Sequence, residues 1–166
     1  MEVVMAVESN NIRARTADLD DVDRRLLALL QVDARMSNSA LAAEVGIAAS
    51  TCHGRIRRLT EMGVVRGFFA DIDPAAVGRP LRAMVAVSLQ SDARGQIRRF
   101  VAEIARKDEV IDVFFLSGAD DYLLHVATAD TEALRKFIEM LNSRPEVAGT
   151  TTSLVFEHVR GSAPIF

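Results

Sequence analysis

The sequence SNSALAAEVGIAASTCHGRIRRL, residues 37–59, predicts two short helices joined by a glycine turn. Ser37 is placed to cap the first helix, because its hydroxyl can accept a hydrogen bond from an unpaired amide of the first turn. Leu41 and Val45 are four residues apart and share one face of that helix. Gly46 can adopt the left-handed conformation that ends a helix. The stretch therefore predicts a helix-turn-helix.

The second helix of this stretch has an apolar back and a polar, cationic front. Cys52, Ile56 and Leu59 follow the i, i+4, i+7 spacing of one apolar stripe. At about 100° per residue, the other side is small, hydroxylated and basic. Side chains of this kind can reach base edges in a DNA major groove and pair with phosphate or guanine. The residues predicted to contact DNA are Ser50, Thr51, His53, Gly54, Arg55, Arg57 and Arg58.

The basic charge of the chain is local rather than global. The net charge is −3, so no overall basic field indicates nucleic-acid binding. Between residues 49 and 67, however, four arginines face one glutamate, which gives a local balance of +3. We expect Arg57 to read bases and Arg58 or Arg55 to hold phosphate. The alternative for this region is an ordinary helical hairpin with a solvated basic face.

Around this stretch the sequence predicts a three-helix domain over residues 19–68. A first helix is expected at 19–32, with Asp20 as its cap. The β-prone run 64–69 fits the wing or linker strand of a winged helix-turn-helix and favours DNA binding. Residues 69–80, which contain two proline breaks, are predicted to link this domain to the next.

Length and composition limit the class of protein. The 166 residues leave room for two small domains. The single cysteine excludes an intrachain disulfide, and no apolar run approaches the roughly 20 residues that span a bilayer. The apolar patch 3–7 follows Glu2 rather than a basic stretch, so it does not resemble a signal peptide. We expect a cytoplasmic protein without a cofactor, with a flexible arm at 1–18 and a tail at 161–166.

The second half of the chain, residues 81–160, combines strands with helices. Residues 81–89 alternate apolar and polar side chains as a strand does. The other predicted elements are a helix around 97–104, strands at 110–116 and 122–128, a helix around 134–141 capped by Asp130, and a last strand from Thr150 to about Val159. The order βαββαβ is the split-βαβ, or ferredoxin-like, arrangement. The predicted fold class is therefore α+β.

The predicted strands are apolar on both faces. In the run 110–116, the apolar residues of one parity are Val110, Phe114 and Leu116, and those of the other are Ile111, Val113 and Phe115. Two helices cover only one face of a four-stranded sheet, so the other face needs a second cover. Self-association into a homodimer is the simplest cover.

Several short motifs carry a resemblance to a known family. They are Leu19-Asp20-x-x-Asp23-x-x-Leu26, Ala40-Leu41-Ala42-x-x-Val45-Gly46, Cys52-x-x-Arg55-Ile56-Arg57-Arg58-Leu59, Gly63-Val64-Val65-x-Gly67 and Ser117-Gly118-x-x-Asp121-Tyr122-Leu123-Leu124. With these motifs, the span 19–160 resembles the leucine-responsive and asparagine-operon regulator family (Lrp/AsnC). The resemblance covers most of the chain and rests on independent motifs in the right order.

The resemblance implies a sequence-specific DNA-binding transcription regulator, with an N-terminal winged helix-turn-helix and a C-terminal ferredoxin-like effector (RAM) domain. It implies double-stranded DNA as a partner and a homodimer formed through the sheet face. The final assembly is either this dimer or a higher assembly such as an octamer, since family members often form larger assemblies. It also implies that an amino-acid-like effector binds between effector domains. The residues carried over to that site are Gly118, Asp120, Asp121, Thr131, Ser153 and Leu154. Asp121 can pair with an α-ammonium, and loop amides can bind an α-carboxylate.

Asp120 departs from the family pattern, which usually has an aromatic residue at this position. A second carboxylate beside Asp121 favours a basic or neutral ligand over an acidic one, or indicates an altered or unused site. A further alternative is that Gly118 and the aspartates only shape a tight hairpin. Ala49 and Thr51 also stand where the family often has prolines, which affects the helix start more than the chemistry.

Three other classes of function compete with this interpretation. An enzyme would use Asp120, Asp121 and His125 as an acid–base or metal cluster, but hairpin carboxylates are usually solvated and a lone strand histidine is usually structural. A metal site at Cys52 and His53 is weaker, because adjacent helical residues diverge and no CxxC or HxxxH spacing supports it. A small-molecule-binding ferredoxin-like protein without a DNA-binding role is the third, and the intact basic face disfavours it.

Overall fold

The residues that the computed structural model describes are 17–91, 97–159 and 161. Within them the chain divides into two compact units, one ending at Asp71 and the other spanning Ile72–Val159. The predicted arm 1–18 lies outside the described residues up to residue 16, and the predicted tail 161–166 lies outside them from residue 162. No helix in the described ranges is long and apolar enough to cross a membrane.

The first unit consists of three helices, as predicted. They are α1 (Asp21–Val32), α2 (Asn38–Val45) and α3 (Ala49–Glu61). Asp20 caps α1, because its Oδ1 accepts a hydrogen bond from the amide of Asp23 at 2.8 Å. Ser37 caps α2 by accepting from the amide of Ala40 at 3.2 Å, and Gly46 ends that helix with φ of 73°. The three capping predictions are confirmed.

The core of the first unit is built from one apolar stripe of each helix. Cys52 and Ile56 of α3 pack in one cluster with Leu26 of α1 and Leu41 of α2. Leu59, at the end of the α3 stripe, is also fully buried. Burial of this stripe leaves the opposite side of α3 on the surface of the unit.

The β-prone run 64–69 forms no strand in the part of the chain that the structure describes, which corrects the prediction of a wing strand. A strand needs a neighbouring strand to receive its backbone hydrogen bonds. The described strands pair among themselves in the sheet of the second unit. Phe68 and Phe69 therefore stay exposed in an irregular segment.

The second unit is a four-stranded antiparallel sheet with two helices, which confirms the ferredoxin-like order. Its elements are β1 (Leu81–Leu89), α4 (Ile97–Ile104), β2 (Val110–Phe115), β3 (Tyr122–Thr128), α5 (Thr131–Asn142) and β4 (Val147–Val155). The strands are arranged in the order β2-β3-β1-β4. Alternate residues of β1, such as Val85 and Val87, are fully buried and pack in one cluster with Phe100 of α4 and Phe137 of α5. The two helices therefore cover one face of the sheet, and the opposite face is called the helix-free face below.

The last strand, β4, is shifted from its prediction. It spans Val147–Val155 instead of 150–159. Val147 is buried in the core and pairs with Leu89 across a register shift, so the strand has a partner and a hydrophobic contact from its first residue. Val155 pairs with Arg82, the second residue of β1, and the ladder between the two strands ends there.

β2 differs from its prediction in the direction of its side chains. A register shift after Val110 lets Val110 and Val113 pack against the same core, although strict alternation assigned them to opposite faces. An extra residue in one strand changes its parity in this way. Phe114 pairs with Leu123 on the helix-free face and remains partly exposed, so the expectation of apolar side chains on that face is kept.

Candidate functional site

α3 presents most of its predicted DNA-contacting residues on the side opposite to its buried stripe. The exposed ones are Ser50, Thr51, His53, Arg57 and Arg58, whereas Gly54 and Arg55 are partly buried. The Arg57 side chain is 70% exposed, and its Nε lies 3.6 Å from the carboxylate of Glu61. An exposed pair of this kind contributes little to stability. Arg57 can therefore leave Glu61 for a stronger anionic partner at small cost.

Arg55 and Arg58 bind carboxylates at the start of α1. Arg55 Nη1 donates to Asp20 Oδ2 at 2.6 Å and to Asp23 Oδ1 at 2.9 Å. Arg58 Nη2 donates to the other oxygen of Asp23, a residue that is fully buried. Hydrogen bonds from the Asp23 amide and from Arg55 hold the pKa of Asp20 below its ordinary value. The bonds to Asp20 and Asp23 in turn raise the pKa of Arg55.

The predicted effector residues of the β2–β3 loop are bonded to the end of β1. Asp121 Oδ2 accepts from the amide of Leu89 at 2.7 Å, and the Asp121 amide donates to the carbonyl oxygen of Val87 at 3.0 Å. Asp120 Oδ1 accepts from the hydroxyl of Ser88 at 3.0 Å. These bonds give the hairpin alternative a physical basis, since both aspartates fasten the loop to the neighbouring strand.

Gly118 lies in the same β2–β3 loop as Asp120 and Asp121, with φ of 155°. The remaining three predicted effector residues lie towards the opposite end of the sheet. Thr131 begins α5 directly after β3, and Ser153 and Leu154 pair with the first half of β1. About four residues of β1, or roughly 13 Å, separate the two groups. One chain therefore does not bring the six predicted residues into a single site.

The helix-free face carries a group of polar residues whose contacts with one another were not predicted, although His125 was named in the enzyme alternative. His125 Nδ1 lies 3.2 Å from Asp112 Oδ2, and His125 Nε2 lies 2.9 Å from Arg82 Nη2. The same Arg82 nitrogen lies 3.3 Å from Nδ1 of His158. Because a guanidinium can only donate, Nε2 of His125 accepts and Nδ1 holds the proton towards Asp112. The sequence signal that could have indicated this group is the occurrence of polar side chains at alternate positions of otherwise apolar strands.

Two alternative sites were considered from the sequence: an acid–base or metal cluster of Asp120, Asp121 and His125, and a metal site at Cys52 and His53. The structure does not bring the residues of either site together. Asp120 and Asp121 are bonded to the end of β1, whereas His125 lies further along β3 and contacts other partners. Cys52 is fully buried, which raises the pKa of its thiol, while His53 is exposed. The described residues include no group of three or more His, Cys, Asp or Glu side chains that could hold a metal ion.

Models of two domain families match the two units of the chain. The AsnC-type helix-turn-helix domain matches residues 19–60. The Lrp/AsnC ligand binding domain matches residues 82–165. The chain belongs to the Lrp/AsnC family. The Lrp/AsnC assignment agrees with the order of the two units in the structure.

The relatives of this Lrp/AsnC chain include named transcriptional regulators. It is 64% identical over 152 residues to the HTH-type transcriptional regulator AldR of Mycobacterium tuberculosis, covering 91% of this chain and 85% of the relative. The crystal structure of MtbAldR matches with a TM-score of 0.78 at 59% identity, covering 90% of this chain and 100% of that one. A Neisseria meningitidis transcriptional regulator in complex with L-Met matches with a TM-score of 0.80 at 31% identity, covering 89% and 96%. This Lrp/AsnC chain is a DNA-binding transcriptional regulator with a ligand-binding domain.

Proposed function

We propose that this regulator binds double-stranded DNA in a sequence-specific manner through α3, and that an amino-acid-like effector controls its assembly or its DNA binding. The observation that carries the proposal is the exposed basic side of α3, fixed by a buried stripe, in a chain that also has a ligand-binding domain. The L-Met complex of the Neisseria relative supports an amino acid as the class of effector. A protein with this role works in the compartment that holds the DNA, so a cytoplasmic location is part of the proposal.

On the DNA side, α3 enters the major groove with its exposed side towards the bases. Ser50 and His53 offer short polar side chains near the start of the helix, and Arg57 extends from the middle of the same side. Arginine can bond the O6 and N7 atoms of guanine together, which gives base specificity. A symmetric dimer favours near-palindromic sites with half-sites about 34 Å apart, or multiples of that spacing.

On the effector side, the pocket lies between the effector domains of two chains. One chain supplies the loop residues Gly118, Asp120 and Asp121, and the other supplies Thr131, Ser153 and Leu154. The support is the separation of these two groups within one chain, at different ends of the same sheet. Asp121 can accept from an α-ammonium through Oδ1 while Oδ2 stays bonded to Leu89. Asp120 adds a second carboxylate, which favours a basic or neutral amino acid over an acidic one.

The chains pair through the helix-free face, and the resulting homodimers assemble further, up to an octamer. Phe114 and Leu123 are neighbours on that face, and 46% of Phe114 is exposed in the single chain. An apolar patch of this kind favours burial against another protein surface. A second copy of the same face can supply that surface with two-fold symmetry.

A gel shift on genomic fragments, at low and at high salt, tests the DNA part of the proposal. Fragments that stay bound as salt is raised carry specific sites, because non-specific binding depends steeply on salt. A thermal-shift screen against the twenty amino acids tests the effector part, since a ligand of the native state raises apparent stability. A chain that binds an amino acid but no DNA fragment would instead be a ligand-binding protein without a DNA-binding role.

A further inference from the structure

α3 carries three arginines, and two of them are bound to α1. Arg55 bridges Asp20 and Asp23, and Arg58 binds the second oxygen of Asp23. The exposed fractions of the side chains follow this arrangement, with 28% for Arg55, 49% for Arg58 and 70% for Arg57. The side chain that is least engaged within its own domain is therefore that of Arg57.

The two aspartates also reduce the positive charge that DNA can use. The balance of +3 between residues 49 and 67 becomes +1 when Asp20 and Asp23 are included, because each cancels one unit. Both aspartates belong to the first turn or the cap of α1, far from α3 in sequence. The local charge of the helix-turn-helix is thus smaller than the sequence of α3 alone suggests.

The burial of Asp23 decides how firmly the two arginines are held. Its side chain is 0% exposed with both arginines bound, so its carboxylate depends on protein groups rather than on water for hydrogen bonds. A phosphate that withdrew Arg55 or Arg58 would leave a buried carboxylate without its full set of partners, which is costly. Withdrawing Arg57 from Glu61 carries no such cost, because both of those side chains are exposed.

We propose that Asp23 is a positioning residue for DNA recognition. It holds Arg55 and Arg58 against α1, so that Arg57 makes the arginine contact with DNA and two further phosphate contacts are withheld. This differs from the expectation from sequence that Arg58 or Arg55 holds phosphate. Withholding the two contacts matters for specificity, because phosphate contacts strengthen binding to every sequence alike. This inference rests on the proposed DNA binding through α3.

The test is the full-length Asp23→Asn variant, which keeps the size of the side chain and removes its charge. Its matched control is Asp21→Asn, which makes the same change in net charge in the same helical turn, at a side chain that is 99% exposed. Both variants and the wild type are titrated with a short duplex of random sequence between about 50 and 200 mM salt. A genomic fragment selected in the gel shift is titrated in parallel, and the ratio of the two affinities measures specificity.

If Asp23 withholds the two arginines, Asp23→Asn steepens the dependence of log K on log salt by about 0.9 for each arginine that reaches a phosphate. Affinity for the random duplex then rises at low salt and the specificity ratio falls, whereas Asp21→Asn changes both much less. An Asp23→Asn protein with the slope and the ratio of Asp21→Asn would overturn the inference. A wild type whose binding to both duplexes is absent would instead refute the proposed function itself.

A second pair of variants decides the matter if circular dichroism shows that Asp23→Asn does not fold. On this inference, Arg57→Gln lowers the affinity for the genomic fragment and the specificity ratio, because a base contact is lost. Arg55→Gln leaves the salt slope close to that of the wild type, because its guanidinium binds Asp20 and Asp23 rather than phosphate. A slope that falls by about 0.9 in Arg55→Gln would show that Arg55 contacts phosphate, and the positioning role of Asp23 would be wrong.

Discussion

Replacement of Asp121 by alanine separates the structural role of this residue from its role in ligand binding. In the structure Asp121 Oδ2 accepts from the amide of Leu89 at 2.7 Å, at the point where β1 ends. A hydrogen bond to a charged group contributes about 1.5–3 kcal/mol, and both residues are half-buried, so water can partly replace it. We expect Asp121→Ala to lower the free energy of unfolding of the effector domain by about 1.5 kcal/mol, or roughly 6–12 °C in Tm.

The chain contains its own probe for this measurement. It has one tyrosine and no tryptophan, and Tyr122 directly follows Asp121 at the start of β3. Tyr122 is 5% exposed, packed in the core of the effector domain. Its fluorescence during thermal unfolding therefore reports on that domain and not on the helix-turn-helix. Protein concentration is held constant, because association changes apparent stability.

Two further variants complete the experiment. Asp121→Asn keeps an oxygen that can accept from Leu89 but loses the charge that pairs with an α-ammonium, so it should unfold later than Asp121→Ala while binding no amino acid. Asp120→Ala is the matched control, because its bond to Ser88 joins two side chains and exposes no backbone amide. An Asp121→Ala domain as stable as the wild type would refute the role of the Leu89 bond. An Asp121→Asn protein with wild-type affinity in titration calorimetry would refute the pairing with the ammonium.

Three more outcomes are expected. Phe114 is 46% exposed in the single chain, so Phe114→Asp should leave the fold intact. The variant should convert the dimer into a monomer, which light scattering measures. A wild type that is already monomeric at micromolar concentration would contradict the dimer proposal. Arg57→Ala should cost about 1–3 kcal/mol of DNA binding and relax sequence preference, whereas an equal loss on all sequences would make Arg57 a backbone contact. The Arg135 guanidinium lowers the pKa of Glu132 from 4.5 to about 2, so the pair stabilises α5 above pH 4.5 and this contribution is lost as the pH falls towards 2. The difference in unfolding free energy between wild type and Glu132→Gln should therefore shrink over that interval in circular dichroism, and a difference that stays constant with pH would show that the pair does not contribute.

The helices could be predicted from sequence because their signals are local. Asp20 and Ser37 each bond an amide three residues away, and Gly46 acts through its own backbone angle. Such signals need no knowledge of the rest of the fold. The same reasoning gave the ferredoxin-like order, since strand and helix periods can be recognised within a few residues.

The features that escaped prediction depend on residues that are distant in sequence. The register shift in β2 arises from its pairing with β3, and it moved Val113 to the same side as Val110. The bond between Arg55 and Asp23 joins residues 32 positions apart. Each residue belongs to a motif that is recognisable in the sequence, but neither motif indicates that the two side chains bind each other. The run 64–69 has strand composition, but composition provides no partner strand.

The separation of the predicted effector residues along β1 has a consequence for how a ligand would act. A pocket whose halves stand at two ends of one sheet is completed only when another chain contributes the missing half. Binding of the ligand is then linked to association of the chains. The apparent affinity for the amino acid therefore rises with the concentration of the protein itself. By reciprocity, the amino acid tightens association by the same factor by which association tightens its binding. A cell could then set the response of this regulator by how much of the protein it makes.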